Sequence, residues 1–196
     1  MHLLFGSLTP QSVDLALLIA RFVLGSVFLA HGINHIYGGG KIAGTGRWFD
    51  SLGMRPGIVH AWFASITEIG SGALLLLGLL TPLAGAGVVG VMLVAWITNH
   101  RKNGFFIFRP GEGYEYVMVL TFCGLLFGAT GGGRFSVDHA AGFFDPPNRI
   151  TLAVCYALGI GGGAGLLAAC WRPGSRPAAA ADAPVSTPAD PATSST

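Results

Sequence analysis

Charged side chains are scarce in this sequence. Lys and Arg number 11 and Asp and Glu 9 among 196 residues, a share of 10%, whereas soluble domains carry roughly 25%. The net charge is only +2, and there is no basic run or base-stacking motif, which argues against nucleic acid as a partner. With 52% hydrophobic residues and a mean hydropathy of +0.61, the composition indicates a protein whose main partner is a lipid bilayer.

Paired cysteines are also missing. The three cysteines, Cys123, Cys155 and Cys170, lie in apolar segments, and none forms a C-x-x-C pair or a zinc-type Cys/His spacing. We interpret them as small apolar residues of the protein interior. His31 and His35 have the i, i+4 spacing of a metal site, but no third ligand stands out, so no metal is predicted.

Long apolar runs make up most of the chain. A hydrocarbon core about 30 Å thick needs roughly 20 helical residues, and five segments approach that length. The fifth contains several glycines, which weaken a helix, but an arginine flanks it on each side. The N-terminal run lacks the basic start and the A-x-A site of a signal peptide, so we expect it to be retained. The predicted membrane helices cover residues 13–36, 58–79, 82–99, 114–130 and 150–171.

Basic residues are distributed unevenly between the predicted loops. Most lie in the first and third loops and in the C-terminal tail, which share one side of the membrane if all five segments cross it. Because cytoplasmic loops are enriched in Lys and Arg, we expect the N-terminus outside and the tail in the cytoplasm. The basic side has Lys41, Arg47, Arg55, Arg101, Lys102, Arg109, Arg172 and Arg176, and the other side has Arg134 and Arg149.

The first predicted helix carries polar residues that would be costly in contact with lipid. Asp14, Arg21, Phe28 and His35 recur every seven residues and therefore share one side of a helix. An arginine in a membrane helix needs a partner, so we expect this side to face the protein. Glu68 lies about 15 Å from the start of the second predicted helix, where a carboxylate must also be paired. We predict a buried ion pair between Arg21 and Glu68.

The ends of the predicted helices bring further polar residues to the basic side. Histidine and carboxylate side chains there can exchange protons and bind an anionic or quinone-like head group. The alternative is that they are ordinary residues of the membrane interface. The candidate catalytic network is Arg21, His35, Glu68 and Glu115, and the candidate ligand-binding residues are His31, Asn34, Trp48, His60, Asn99 and His100.

Several short motifs follow one another between about residues 15 and 138. They are ARFVLGSVFLAHG with Arg21, HGINHIYGGG, TGRWFDSLG, ITEIGSGALLLLGLLTP with Glu68, the histidine that ends the third helix, GEGYEYVMVL and GGGRFSVD. In order and spacing this series resembles the DoxX family of small bacterial integral membrane proteins. Two features depart from the family pattern. His35 stands where a lysine is common, and a fifth helix and tail extend beyond the usual core.

The resemblance implies an all-α membrane protein with a four-helix transmembrane bundle of DoxX type, and the apolar run at residues 150–171 adds an expected fifth, C-terminal transmembrane helix. The DoxX-like membrane domain is expected at residues 1–138, and the connecting loop and fifth helix at 139–172. Residues 173–196 are rich in Pro, Ala, Ser and Thr and are predicted to form a disordered tail.

The family name derives from a subunit of a thiosulfate:quinone oxidoreductase, so the resemblance implies a role in redox chemistry. We expect a quinone- or sulfur-compound-linked oxidoreductase subunit in the bacterial plasma membrane, with quinone as the candidate cofactor. Because the chain has no dinucleotide motif or redox cysteine pair, other membrane or peripheral subunits are expected to supply the redox centre. Two alternatives remain open: a non-catalytic membrane assembly or anchor subunit, and a small-solute or proton transporter with Glu68 as a relay.

Overall fold

A computed structural model describes residues 10–144 and 147–174, and most of this part of the chain is helical. The prediction of a disordered tail falls almost entirely on residues 175–196, which lie outside the described residues. No β-strand occurs in the described ranges. The helices are α1 (Pro10–Tyr37), α2 (Lys41–Ser51), α3 (Gly57–Leu77), α4 (Thr81–Ala95), α5 (Glu115–Thr130), α6 (Val137–Ala141), α7 (Arg149–Tyr156) and α8 (Gly162–Cys170).

Two of the helices continue through π-helical turns. α4 runs on through Trp96–His100 and a final 3-10 turn, and Ala157–Gly161 joins α7 to α8. α5, with 16 residues, is about 24 Å long. The all-α membrane fold is confirmed, whereas the crossing of the membrane by a fifth helix stays a prediction. The stretches long and apolar enough to cross a membrane are Pro10–Tyr37, Gly57–Leu77, Thr81–Asn103 and Arg149–Cys170.

Glycines allow the close packing of α1 against α3, which run in opposite directions. A Cβ atom added at Gly25 would lie 2.8 Å from the carbonyl oxygen of Gly72, and one at Gly32 would lie 2.9 Å from that of Ser65. Small residues are what lets two membrane helices approach this closely. This register places the end of α1, with its histidines, beside the start of α3.

α4 and α5 form the second antiparallel pair of the bundle. A Cβ atom at Gly85 of α4 would lie 2.5 Å from the carbonyl oxygen of Gly124 of α5. An apolar core lies between the two helix pairs, and the predicted four-helix bundle of α1, α3, α4 and α5 is therefore confirmed. The buried members of this core are Leu24, Phe28, Leu75, Ala84, Val88, Met92, Val117, Leu120 and Phe127.

The rod formed by α7, its π turn and α8 packs along α4 and runs in the same direction. Gly159 lies against Ala86 and Gly163 against Gly90, with Cβ positions 2.9 and 3.1 Å from the facing carbonyl oxygens. Just beyond α8, the indole of Trp171 donates a hydrogen bond of 3.0 Å to the backbone that follows α2. The C-terminal rod is thus attached both to the bundle and to the short helix α2.

The bundle has two chemically distinct ends. The ends of α1 and α4, the starts of α3 and α5, and α2 lie together, and we call this the histidine end because His31, His35, His60 and His100 lie there. The opposite end carries α6, the turn between α3 and α4, and the completely buried Arg21. We call it the arginine end.

Candidate functional site

A cavity of about 1190 Å³ opens at the histidine end. Its lining combines side chains from the four bundle helices, α2 and α8, and most of these side chains are apolar. Arg21, Asn34 and Glu115 do not line it. The predicted site residues that do are His31, His35, Trp48, His60, Glu68, Asn99 and His100.

His35 and Glu68 form a close polar pair in the cavity wall. Nδ1 of His35 lies 3.1 Å from Oε2 of Glu68, and Glu68 is 4% exposed. Neither atom has a well-aligned hydrogen bond to another described group. Gly32 permits the approach, because a Cβ at this position would lie only 3.1 Å from the Cβ of Glu68. An imidazole and a carboxylate that can exchange a proton therefore stand side by side in the cavity wall.

The predicted ion pair between Arg21 and Glu68 is wrong. Arg21 donates hydrogen bonds to the carbonyl oxygens of Leu75, 3.0 Å from its Nη1 atom, and of Phe135. Because α1 and α3 are antiparallel and meet at Gly25, Arg21 faces the end of α3, about two helical turns beyond Glu68. Both residues are buried as expected, but each has a different partner.

The inward side predicted for α1 is confirmed. Asp14, Arg21 and Phe28 are buried, and His35 is partly buried where the same side reaches the cavity. Asp14 accepts a hydrogen bond of 3.0 Å from the backbone N–H of Arg134, whose guanidinium Nε lies 3.7 Å from its other oxygen. This side of α1 thus carries polar contacts at both ends of the bundle and an apolar contact in the core.

The π-helical turn at the end of α4 carries Asn99 and His100 into the cavity lining. Such turns insert an extra residue into a helix and are frequent at functional sites. Nδ1 of His100 lies 3.0 Å from the carbonyl oxygen of Glu112, and the ring of Trp96 stacks on that of Tyr114 with centroids 5.5 Å apart. These contacts hold the loop between α4 and α5 beside the cavity.

Asn34 and Glu115 lie at the histidine end but do not line the cavity. Oε1 of Glu115 accepts a hydrogen bond of 2.8 Å from the backbone N–H of Ile107, so its carboxylate orders the loop before α5. The backbone carbonyl oxygen of Asn34 accepts one of 2.8 Å from the N–H of Gly38 at the end of α1. Position along a helix indicated the correct end of the bundle for both residues, but not the direction of their side chains.

Five polar residues of the cavity lining had no ligand role assigned from the sequence: Thr67, Ser71, Thr98, Glu112 and Tyr116. Ser71 of α3 and Tyr116 of α5 both line the cavity. The spacing of Ser71 from Glu68 could have indicated it, because residues three apart share a helix face. For Tyr116 no sequence signal separates it from Tyr114, which stacks in the loop.

The remaining reactive side chains do not converge in the described part of the chain. No group of three or more His, Cys, Asp or Glu residues is placed there to hold a metal ion. Cys123, Cys155 and Cys170 are free thiols. The described residues of the cavity supply hydrogen bonds and proton exchange.

The fold and the cavity define a small helical membrane protein with a ligand-sized cavity at one end of its bundle. A family model described as DoxX matches residues 16–101. A relative named "Putative oxidoreductase CatD", from Bacillus subtilis (strain 168), is 30% identical over 111 residues, which are 57% of this chain and 77% of that protein. The chain belongs to the DoxX family. No solved structure matches it significantly.

Proposed function

We propose that this DoxX-family protein binds the head group of a membrane quinone at His35 and Glu68 and acts as the quinone-binding subunit of an oxidoreductase. The observation that carries the proposal is the buried His35–Glu68 contact of 3.1 Å in the wall of a large cavity. A quinone carbonyl accepts hydrogen bonds, and the imidazole N–H of His35 is a donor. The apolar side chains around the pair favour a quinone over a small sulfur anion, which would need compensating charge.

Quinone reduction consumes protons that this pair can help to supply. Conversion of a quinone to its hydroquinone takes up two electrons and two protons. Imidazole and carboxylate groups in contact can pass one proton to the quinone oxygen beside them and be recharged from the water at the histidine end, and the same water supplies the other proton to the opposite oxygen. The electrons come from a redox centre on a partner subunit, so the reaction requires the protein to be part of an assembly. The name of the Bacillus subtilis relative, "Putative oxidoreductase CatD", supports this link.

Equilibrium binding of a decyl-substituted benzoquinone to the full chain in mild detergent tests the proposal. We expect Glu68→Gln and His35→Gln each to weaken binding by about tenfold, the loss that corresponds to one good hydrogen bond at roughly 1.4 kcal/mol. His139→Gln is the matched control for His35→Gln, because it makes the same chemical change outside the cavity. It should bind the quinone as the wild type does.

Three results would count against the proposal. Equal quinone binding by Glu68→Gln, His35→Gln and His139→Gln would remove His35 and Glu68 from the site. A wild-type protein that binds no quinone but co-purifies with a fixed set of subunits would identify an assembly or anchor subunit. Proton-coupled uptake of a solute into liposomes that is lost only in Glu68→Gln would identify a transporter.

A further inference from the structure

Part of the cavity is a groove on the outer side of the bundle, which we call the lateral groove. Its two walls are helices α3 and α8, and its floor is α4. The floor residues recur every three or four positions, which is the spacing of one helix face. The wall residues are Phe63, Ile66 and Gly70 on α3 and Gly162, Gly165 and Ala169 on α8, and the floor residues are Leu83, Gly87, Gly90 and Val94.

The glycines of the groove walls are not explained by helix packing. A Cβ atom added at Gly70, Gly162 or Gly165 would meet no other atom within 4 Å. On the same C-terminal rod, by contrast, Gly159 and Gly163 face α4 with Cβ positions at 2.9 and 3.1 Å from its carbonyl oxygens. The rod therefore has one glycine face that packs and another that leaves the groove wide.

The groove is continuous with the proposed head-group site. One cavity contains both the wall glycines and Glu68, a 4% exposed carboxylate in contact with His35. Its volume of about 1190 Å³ exceeds the roughly 300–1,000 Å³ of sites for compact ligands. Phe63 and Ile66 at the wall are exposed on α3, which is long and apolar enough to cross the bilayer, so the groove is accessible from the lipid.

We propose that the lateral groove binds the apolar chain of the ligand whose head group lies at His35 and Glu68, so that the ligand class is a long-chain quinone taken directly from the bilayer. This inference rests on the proposed quinone-binding function. Lipid is as apolar as the groove, so the apolar chain of the quinone gains little from the hydrophobic effect when it moves from one to the other. The groove must therefore select the ligand by shape. The wall glycines set this shape by leaving room for a branched chain between α3 and α8.

The test compares two benzoquinones with the same ring substituents, one without a chain and one with a decyl chain. Both are titrated into the full chain in mild detergent. Gly162→Leu and Gly165→Leu fill one wall, and Gly70→Leu fills the opposite wall if either of these fails to fold. Gly161→Leu is the matched control, because its Cβ also enters open space but the residue does not line the cavity.

We expect the filled-groove variants to bind the decyl quinone about tenfold more weakly and the chainless quinone as the wild type does. Gly161→Leu should bind both ligands normally. Unchanged decyl affinity in the filled-groove variants, or an equal loss for both ligands, would overturn the groove assignment while leaving the head-group site in place. A wild-type protein that binds neither quinone would overturn the proposed function and this inference together.

Discussion

At the arginine end, a single carboxylate supplies the cap that helix α4 lacks. α4 begins after Leu80, whose side chain cannot accept a hydrogen bond. Asp138 of α6 takes this role from a distant part of the chain: its two oxygens accept hydrogen bonds from the backbone N–H groups of Leu80 and Thr81, at 2.7 and 2.8 Å. The negative charge at a helix N-terminus is also favourable to the helix dipole. Asp138 is 1% exposed, so water cannot replace it.

Asp138→Asn should destabilise the protein by about 2 kcal/mol, because one oxygen becomes an amide that faces an N–H donor and leaves it unsatisfied in the interior. The free energy of unfolding, measured by titration with a denaturing detergent in micelles, is the readout. Asp14→Asn is the control. Its partner Arg134 is largely exposed, so the loss should stay below about 1 kcal/mol. Equal effects of the two substitutions would contradict the capping role.

At the scale of elements, α4 is the helix on which the other elements assemble. It packs against α3, α5 and the α7–α8 rod. The distance between the glycines of α4 and the facing backbone differs from one neighbour to the next. A Cβ at Gly85 would lie 2.5 Å from the carbonyl oxygen of Gly124, whereas one at Gly90 would lie 3.4 Å from that of Gly159. The contact with α5 therefore requires glycine, and the contact with the C-terminal rod tolerates a methyl group.

Gly85→Ala should separate α4 from α5 and cost about 1–3 kcal/mol, the usual penalty of overpacking. Gly90→Ala should be neutral or slightly stabilising, because alanine forms helix more readily than glycine. Thermal unfolding of both variants in the same detergent gives the comparison. Equal stability of the two variants would show that α4 and α5 are not in the tight contact described.

At the scale of the whole molecule, the distribution of charge sets the orientation in the membrane. The loops of the histidine end contain six Lys and Arg residues, and Arg134 and Arg149 lie at the arginine end. We infer from the enrichment of basic residues in cytoplasmic loops that the histidine end faces the cytoplasm. The proton supply of the proposed quinone site would then be cytoplasmic water.

Topology reporters at the two ends test this orientation. Alkaline phosphatase, which is active only outside the cytoplasm, should be active when inserted after Gly142 of the arginine end and inactive when fused after Thr196. A green fluorescent protein at the same positions should give the reciprocal pattern. Activity of the phosphatase at Thr196 would reverse the orientation or remove the fifth crossing.

The sequence by itself determined the long apolar helices, the inward side of α1 and the end of the bundle at which the histidines gather. Each of these follows from local properties: apolar length, seven-residue spacing and position along a helix. The burial of Asp14 and Arg21 could be predicted in this way, as could the placement of His35 at one end of the bundle, whereas Glu68 was expected at mid-membrane depth beside Arg21.

Only the tertiary structure decided which of these residues meet. Glu68 contacts His35 and not Arg21 because glycines of α1 and α3 fix the register of two helices distant in sequence. Asp138 caps α4 because α5 ends at the arginine end and the segment that follows it lies beside the start of α4. Which side chains meet depends on how closely two helices pack, and these helices are far apart in the sequence. The spacing of residues within one helix carries no information about that packing.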